Sequence, residues 1–340
     1  MINGGIAVKI TFIETPVTKE RDMSVEFATC PADAEIKVAV FDEHSDNNEQ
    51  FYSAIADADA VCMYGYVYLD KQKIDAMPNC KVISFQSTGY NEVDFDYATE
   101  KGITIVSILD YCTQETAENA FTMMLALQRD TITYNKAVQQ DHIWQVNQTR
   151  RLKRVEGQTM GIVGLGRIGQ SVARKAKGFD MEVIAYDPFL PPDIAEGIGV
   201  KLVSFDTILA ESDVVSIHMN LTEENVHMFN KAAFQKMKKK PLLINEGRGP
   251  MVNEVDLAWA LDNGLVRGAG LDMLESEVPD AQYLKNCPLV GRSNVILNPH
   301  SGYFSDTSEY LVSKLAVENA VLCLQGRQKE AKVVRNGIGL

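Results

Sequence analysis

Short apolar runs separated by amphipathic stretches organise the first third of the chain. The runs are Val8 to Ile13, Ile36 to Phe41, Ala60 to Met63, Val82 to Phe85 and Ile103 to Ile108. Val and Ile are frequent in them, as in strands buried on both faces of a parallel sheet. Asn48 to Ala56 and Asp94 to Lys101 are amphipathic, and Gly102 follows the second as a helix C-terminal cap. This rhythm predicts an α/β domain.

From Gln114 to about Gln145 the chain has neither Pro nor Gly and carries Ala117, Phe121, Met124, Leu125 and Leu127 at helical spacing. The spacing predicts one long or broken helix. A second α/β rhythm starts near Gly157, with strands expected at Met160 to Val163, Val183 to Tyr186, Val214 to His218, Leu242 to Asn245, Gly268 to Leu271 and Val295 to Leu297. A last helix is expected from about Asp306 to Leu324, ended by Gly326. No internal repeat or low-complexity tract interrupts this pattern.

Length and composition fit two such domains. The chain has 340 residues, 46% hydrophobic and 23% charged, and ordinary domains run to ~150 residues. No apolar run approaches the ~18 residues of a membrane span, and the first residues lack a basic region followed by an apolar one, so no secretory signal is expected. The net charge of -13 makes nucleic acid and anionic membrane poor partners. Two basic clusters stand out: Arg150 to Arg154 is expected on a solvated linker, and Lys236 to Lys240 at a helix C-terminus. The six cysteines, Cys30, Cys62, Cys80, Cys112, Cys287 and Cys323, form no CxxC or CxxH pair. No metal site is therefore expected, and reduced thiols fit a cytoplasmic protein.

The strongest chemical signal is Gly164-Leu165-Gly166-Arg167-Ile168-Gly169. It directly follows an apolar strand and opens a helical stretch. Gly164 permits a tight turn, Gly166 lets a pyrophosphate approach the backbone, and Gly169 lets helix and strand pack closely. The phosphate would sit on the helix N-terminus, where amides and the helix dipole attract anions. The next strand ends at Asp187, with Pro188 and Phe189 after it. An acid there accepts from an adenosine ribose diol and repels a 2′-phosphate, and no Arg follows, so the motif predicts NAD rather than NADP.

Three polar residues stand at or beyond expected strand ends: Arg248, Glu277 and His300. Strand carboxyl ends line the ligand crevice of an open parallel sheet. An Arg could fork onto a carboxylate, and a His beside a carboxylate could pass a proton, which suits reduction of a keto acid. Spacing alone leaves each of the three open between a catalytic and a surface residue. It also leaves His218 open between cleft lining and packing, and Tyr64, Tyr66 and Tyr68 between packing and pocket lining.

The ordered set of motifs resembles the NAD-dependent D-isomer-specific 2-hydroxyacid dehydrogenases, most of all the D-lactate dehydrogenase branch. The resemblance runs from about Ala60 to Gly326. It includes Ser87-Thr88-Gly89-Tyr90-Asn91, Ala117-Glu118, the glycine motif with Tyr186-Asp187-Pro188, Asn225-Val226-His227-Met228, Asn245 to Pro250, Gly270-Leu271-Asp272 with Glu277, and Pro299-His300. It implies that Arg248 binds the substrate carboxylate and keto oxygen, that His300 donates the proton, and that Glu277 holds His300 protonated. It implies cofactor contacts from Gly164, Gly166, Arg167, Ile168 and Gly169 at the pyrophosphate, Asp187 at the ribose and Asp272 at the nicotinamide amide. His218, Met219, Asn220 and Asn225 would line the cofactor cleft, with Glu246, Gly247 and Arg248 beside it. Substrate contacts would come from Tyr64, Thr88, Gly89, Tyr111 and Tyr303 in addition to Arg248 and His300.

The resemblance further implies two doubly wound parallel-sheet domains. A Rossmann cofactor domain, residues 114–300, would be inserted in a flavodoxin-like substrate domain made of residues 1–113 and 301–340. A homodimer is expected through the cofactor domain, with Phe121, Met124 and Leu125 offering apolar surface. Some positions depart from the family pattern: Asn220 stands where Pro is usual, Asn119 where many members have His, and Glu246 puts a carboxylate beside Arg248. The expected activity is NADH-dependent, reversible reduction of a small 2-oxo acid to the (R)-2-hydroxy acid. The competing reading is an NAD(H)-sensing corepressor-like protein of the same fold. Oxidation of a phosphorylated glycerate would need a basic cluster, and neither Met63 to Tyr68 nor Gln86 to Asn91 contains one.

Overall fold

The computed structural model describes residues 8–148, 152–276, 279–331 and 333–340. The chain divides into two compact units, Met1–Tyr111 with Ser305–Leu340, and Cys112–Phe304. Among the described residues, unit 1 carries β1 (Lys9–Glu14), β2 (Glu35–Val40), β3 (Ala60–Met63), β4 (Val82–Phe85) and β5 (Thr104–Val106). They form one sheet in the order β2-β1-β3-β4-β5, with parallel ladders throughout. This is the flavodoxin-like order, and the strand order reverses between β1 and β3. Both central strands β3 and β4 are wholly buried, whereas edge strand β2 is largely not. Continuous apolar runs therefore mark the middle of the sheet.

Unit 2 carries β6 (Thr159–Val163), β7 (Glu182–Tyr186), β8 (Lys201–Leu202), β9 (Val214–Ile217), β10 (Leu242–Asn245), β11 (Gly268–Leu271) and β12 (Val295–Leu297). Their order is β12-β11-β10-β9-β6-β7-β8, again with parallel ladders. The chain starts in the middle at β6, runs out to β8, then crosses back to β9. The reversal lies between β6 and β9, and there the carboxyl ends of neighbouring strands diverge to leave a crevice.

The expected long helix is two helices, Thr113–Arg129 and Thr131–Gln139. Asp130 separates them in the left-handed region at φ 53, where its carboxylate accepts from the Thr133 hydroxyl at 2.7 Å. The first helix lies on the unit 2 sheet so closely that a Cβ on Gly270 would come within 2.8 Å of Met123 Cβ. Its apolar face is therefore core: Phe121 is 5% exposed and Met124 1%. This corrects the expectation that these residues offer association surface. The exposed apolar residues lie beyond the break, at Ile132, Ile143, Trp144 and Val146.

Three lysines of the two basic clusters pair with acids. Lys153 and Lys239 both reach Asp213, at 3.4 and 3.1 Å, and Lys236 reaches Asp206 at 2.7 Å. Arg150 and Arg151 lie outside the described residues. Among those described, no helix is long and apolar enough to cross a membrane.

Helix Asp306–Leu324 returns the chain to unit 1, where the Ala316 carbonyl accepts from Ser84 Oγ at 2.8 Å. A reciprocal box starts it: Ser305 Oγ accepts from Ser308 N at 3.0 Å, and Ser308 Oγ accepts from Ser305 N at 2.9 Å. Such a box satisfies two otherwise orphaned amides. Ser305→Ala should therefore lower the unfolding free energy by ~1 kcal/mol, read as a lower urea midpoint at unchanged slope; an unchanged midpoint would remove the cap from the account.

Candidate active site

β6 delivers the glycine loop to the crevice. Gly164 sits at φ +93, and a Cβ there would meet Met219 Cγ at 2.7 Å and the His218 carbonyl carbon at 2.8 Å. At Gly169 a Cβ would run into the Gly164 carbonyl oxygen, so helix Arg167–Gly178 can start beside the strand only with glycine there. Gly166 is different: nothing lies within 4 Å of the position its Cβ would take. That open backbone is what a close-approaching pyrophosphate requires. Arg167 is exposed at the helix start, and Ile168 packs partly on the core.

Asp187 follows β7 and folds over this loop. Its Oδ2 accepts from Leu165 N at 2.9 Å, and its Oδ1 accepts from Phe189 N and Leu190 N at 3.0 Å each. The carboxylate is thus held by backbone amides at the end of the second strand, half-buried and next to the glycine motif.

His218 follows β9. Its Nε2 is 2.8 Å from Ser216 Oγ, and its amide donates to the Val163 carbonyl at 2.7 Å. Burial pushes the imidazole pKa down to about 3, which favours the neutral ring. Met219 packs against Gly164, and a Cβ on Gly247 would come within 2.9 Å of the Met219 carbonyl oxygen. Asn220 is exposed, and its carbonyl accepts from Asn225 Nδ2 at 2.8 Å. Asn225 also caps the Thr222 amide at 2.8 Å, so its buried amide shapes this loop from within.

β10, β11 and β12 deliver the remaining groups to the same carboxyl edge. Arg248 follows β10 and is half-buried, and its Nη1 donates to the Gly247 carbonyl at 2.9 Å. Asp272 follows β11, buried. Its Oδ1 accepts from Ser301 N and its Oδ2 from Gly302 N, each at 2.9 Å, while its carbonyl accepts from His300 N at 2.8 Å. His300, beyond β12, is exposed and held at φ 51, a conformation that non-glycine residues adopt when their surroundings impose it. The Tyr303 ring stands edge-on to it, with centroids 6.4 Å apart. Glu277 lies outside the described residues.

Glu246 does not take the place expected for it. Its side chain is buried at 5% exposure. Oε1 accepts from Asn119 Nδ2 at 2.9 Å, and Asn119 Oδ1 accepts in turn from Asn298 Nδ2 at 3.0 Å. Among the described residues Oε2 has no hydrogen-bond partner. Burial first, then the nearby Asp272, push the Glu246 carboxyl well above the usual carboxylate range, and burial raises Asp272 too. In the sequence Asn119 shows only as a departure with no visible partner, and Asn298 and Gly302 carry no assigned role. The glycine two places after His300 was the available signal.

In unit 1, Tyr64 follows β3 and Thr88 and Gly89 follow β4, at the carboxyl edge of that sheet. Tyr111 is buried at the end of that unit's first segment.

Residues 121–302 match the family model described as D-isomer specific 2-hydroxyacid dehydrogenase, NAD binding domain. The chain belongs to the D-isomer specific 2-hydroxyacid dehydrogenase family. The match covers the glycine loop, Asp187 and Asp272, and the family's cofactor is NAD. A D-3-phosphoglycerate dehydrogenase of Archaeoglobus fulgidus is 33% identical over 86% of this chain, which spans only 54% of that protein's length. A glyoxylate reductase of Korarchaeum cryptofilum is 32% identical over 84% of this chain and 85% of its own. The solved D-lactate dehydrogenase of Aquifex aeolicus, complexed with NAD and lactic acid, superposes with a TM-score of 0.83 at 28% identity, covering 96% of this chain and 99% of that one.

The open backbone at Gly166 and the closed contact at Gly169 separate the two glycines experimentally. Gly169→Ala should destabilise the fold by ~1–3 kcal/mol through overpacking. Gly166→Ala should leave the urea midpoint nearly unchanged and weaken NADH binding at least tenfold in a fluorescence titration. Equal stability losses, or unchanged binding in Gly166→Ala, would contradict this map.

Proposed function

We propose that the protein is an NADH-dependent reductase that converts a small 2-oxo acid to its (R)-2-hydroxy acid, in the manner of a D-lactate dehydrogenase. The observation that carries the reading is the sharing of one sheet edge. Arg248 follows β10 and His300 follows β12, at the carboxyl edge that also bears the glycine loop. The cofactor supplies the hydride. Arg248 forks onto the carboxylate and keto oxygen of the substrate and gains strength as negative charge grows on that oxygen. His300 donates the proton to the same oxygen, and Asp272 holds the backbone that presents it. Glu277, in the role implied by the family resemblance, keeps His300 protonated.

Unit 1 favours a substrate without a phosphate. Arg21, whose guanidinium lies 4.8 Å over the Tyr64 ring, is paired with Glu14 at 2.8 Å and Glu26 at 2.5 Å. Two buried carboxylates on one guanidinium leave that cluster negative. Arg335 donates to Ser107 Oγ at 2.7 Å and, in the segment after β4, to the Thr88 carbonyl at 3.3 Å.

Arg248→Lys keeps the charge and loses the fork, so it should raise KM for the oxo acid and lower kcat at saturating NADH. His300→Gln should lower kcat by ~10²–10⁴ with NADH affinity close to that of the parent. If Arg248→Lys moves neither constant by more than about threefold (~0.65 kcal/mol), the anchor lies elsewhere.

The same reading includes a homodimer built on unit 2. Trp144 and Val146 are 86% and 84% exposed on the segment that follows helix Thr131–Gln139, a run of apolar surface that favours burial in an interface. Sedimentation at micromolar concentration should give a dimer, and Trp144→Glu should shift it toward monomer; a strictly monomeric parent would overturn the assignment.

A further inference from the structure

Beneath the edge that carries His300, two acids are buried against each other. A Cβ on Gly302 would lie 2.6 Å from Glu246 Oε2, 2.8 Å from Asp272 Oδ2 and 3.0 Å from Asn119 Nδ2, so all three side chains converge on one point. Asp272 has the partners of an anion, with both oxygens accepting backbone amides. Glu246 does not. Of its two oxygens only Oε1 accepts, from Asn119, whose amide the Asn298 donor fixes in that sense and which also serves Asp272; Oε2 is buried with no partner among the described residues. An ionised Glu246 would be a second buried anion beside the first with a single hydrogen bond, an arrangement far costlier than a neutral acid. The groups facing it are Asp272 from the end of β11, His300 and Gly302 from the loop after β12, Asn298 just before that loop, and Asn119 from helix Thr113–Arg129.

We propose that Glu246 holds a proton in the unliganded protein and in the NADH complex and releases it to solvent when NAD+ binds, so that its protonation state reports the charge of the nicotinamide ring. The inference rests on the family reading that the nicotinamide comes to Asp272. The oxidised ring is a cation and the reduced ring is neutral. A cation arriving beside the acid pair stabilises a second negative charge there; a neutral ring does not. Linkage then runs in both directions. NAD+ affinity rises by up to about tenfold per pH unit between the Glu246 pKa of the complex and that of the free protein, while NADH affinity stays flat through this window. Low pH therefore favours the reduced cofactor, the form that 2-oxo acid reduction consumes. His300 is a second group whose charge opposes the cationic ring, so it must be separated from Glu246.

The test uses the full chain, with infrared difference spectroscopy on the unliganded protein and calorimetry of NAD+ and NADH binding in buffers of different ionisation enthalpy. The parent should show a buried protonated carboxyl band that Glu246→Gln removes. NAD+ should release more protons than NADH; the excess should persist in His300→Gln and vanish in Glu246→Gln. Glu246→Leu serves the same comparison if the Gln variant does not fold. If both cofactors bind but Glu246→Gln leaves the band or the proton difference unchanged, the inference is wrong and the cofactor reading stands. If neither cofactor binds, both fall.

Discussion

The chain that carries His300 leaves β12 and turns within a few residues, and one carboxylate holds that turn. Asp272 accepts from the Ser301 and Gly302 amides with its side chain and from the His300 amide with its carbonyl. The geometry puts His300 in the left-handed region, which an ordinary side chain adopts at a cost of ~1–3 kcal/mol. It also requires glycine at 302, because a side chain there would run into Glu246, Asp272 and Asn119. The presentation of His300 and the packing of the acids beneath it follow from one buried carboxyl group.

The two units solve the burial of adjacent acids differently. In unit 1, Glu14 and Glu26 keep Arg21 between them, and Gln86 adds a donor to Glu26 at 2.8 Å. In unit 2, no guanidinium among the described residues is hydrogen-bonded to Glu246; it accepts from one side-chain amide, and the backbone donors serve Asp272. The first arrangement supports fixed charge. The second supports a proton, because removing an ion's partners in a low-dielectric site favours the neutral form. It lies at the carboxyl edge of the unit 2 sheet, beside the loop that carries His300.

Most of the architecture was legible in the sequence because the central strands are covered on both faces. β3, β4, β10 and β11 coincide with the apolar runs to the residue, and so do the half-buried edge strand β12 and helix Asp306–Leu324. The two-residue edge strand β8 was missed, since Lys201-Leu202 carries no pattern. The break at Asp130 has no Pro or Gly to announce it, only an Asp that tolerates the left-handed region by bonding locally. The helix before it was read as a surface because periodicity shows that an apolar face exists and not what covers it. The glycine motif was legible because its spacing and its place between a strand and a helix are local, although only Gly169 answers a contact within that strand-turn-helix; Gly164 clears the residues after β9, and Gly166 leaves open backbone. Glu246 was misplaced because its partner Asn119 lies far away in the chain, on the helix that packs across the sheet. Adjacency to Arg248 was the only relation visible in sequence.

The central claim is that this edge reduces 2-oxo acids with one stereochemical outcome. The most direct measurement is NADH oxidation over a panel of 2-oxo acids differing in side chain, with chiral chromatography of each product. The account predicts turnover of at least one small unphosphorylated 2-oxo acid, giving the (R)-2-hydroxy acid alone. A protein that binds NADH yet turns over none of the panel, or that yields the (S)-isomer, would contradict it.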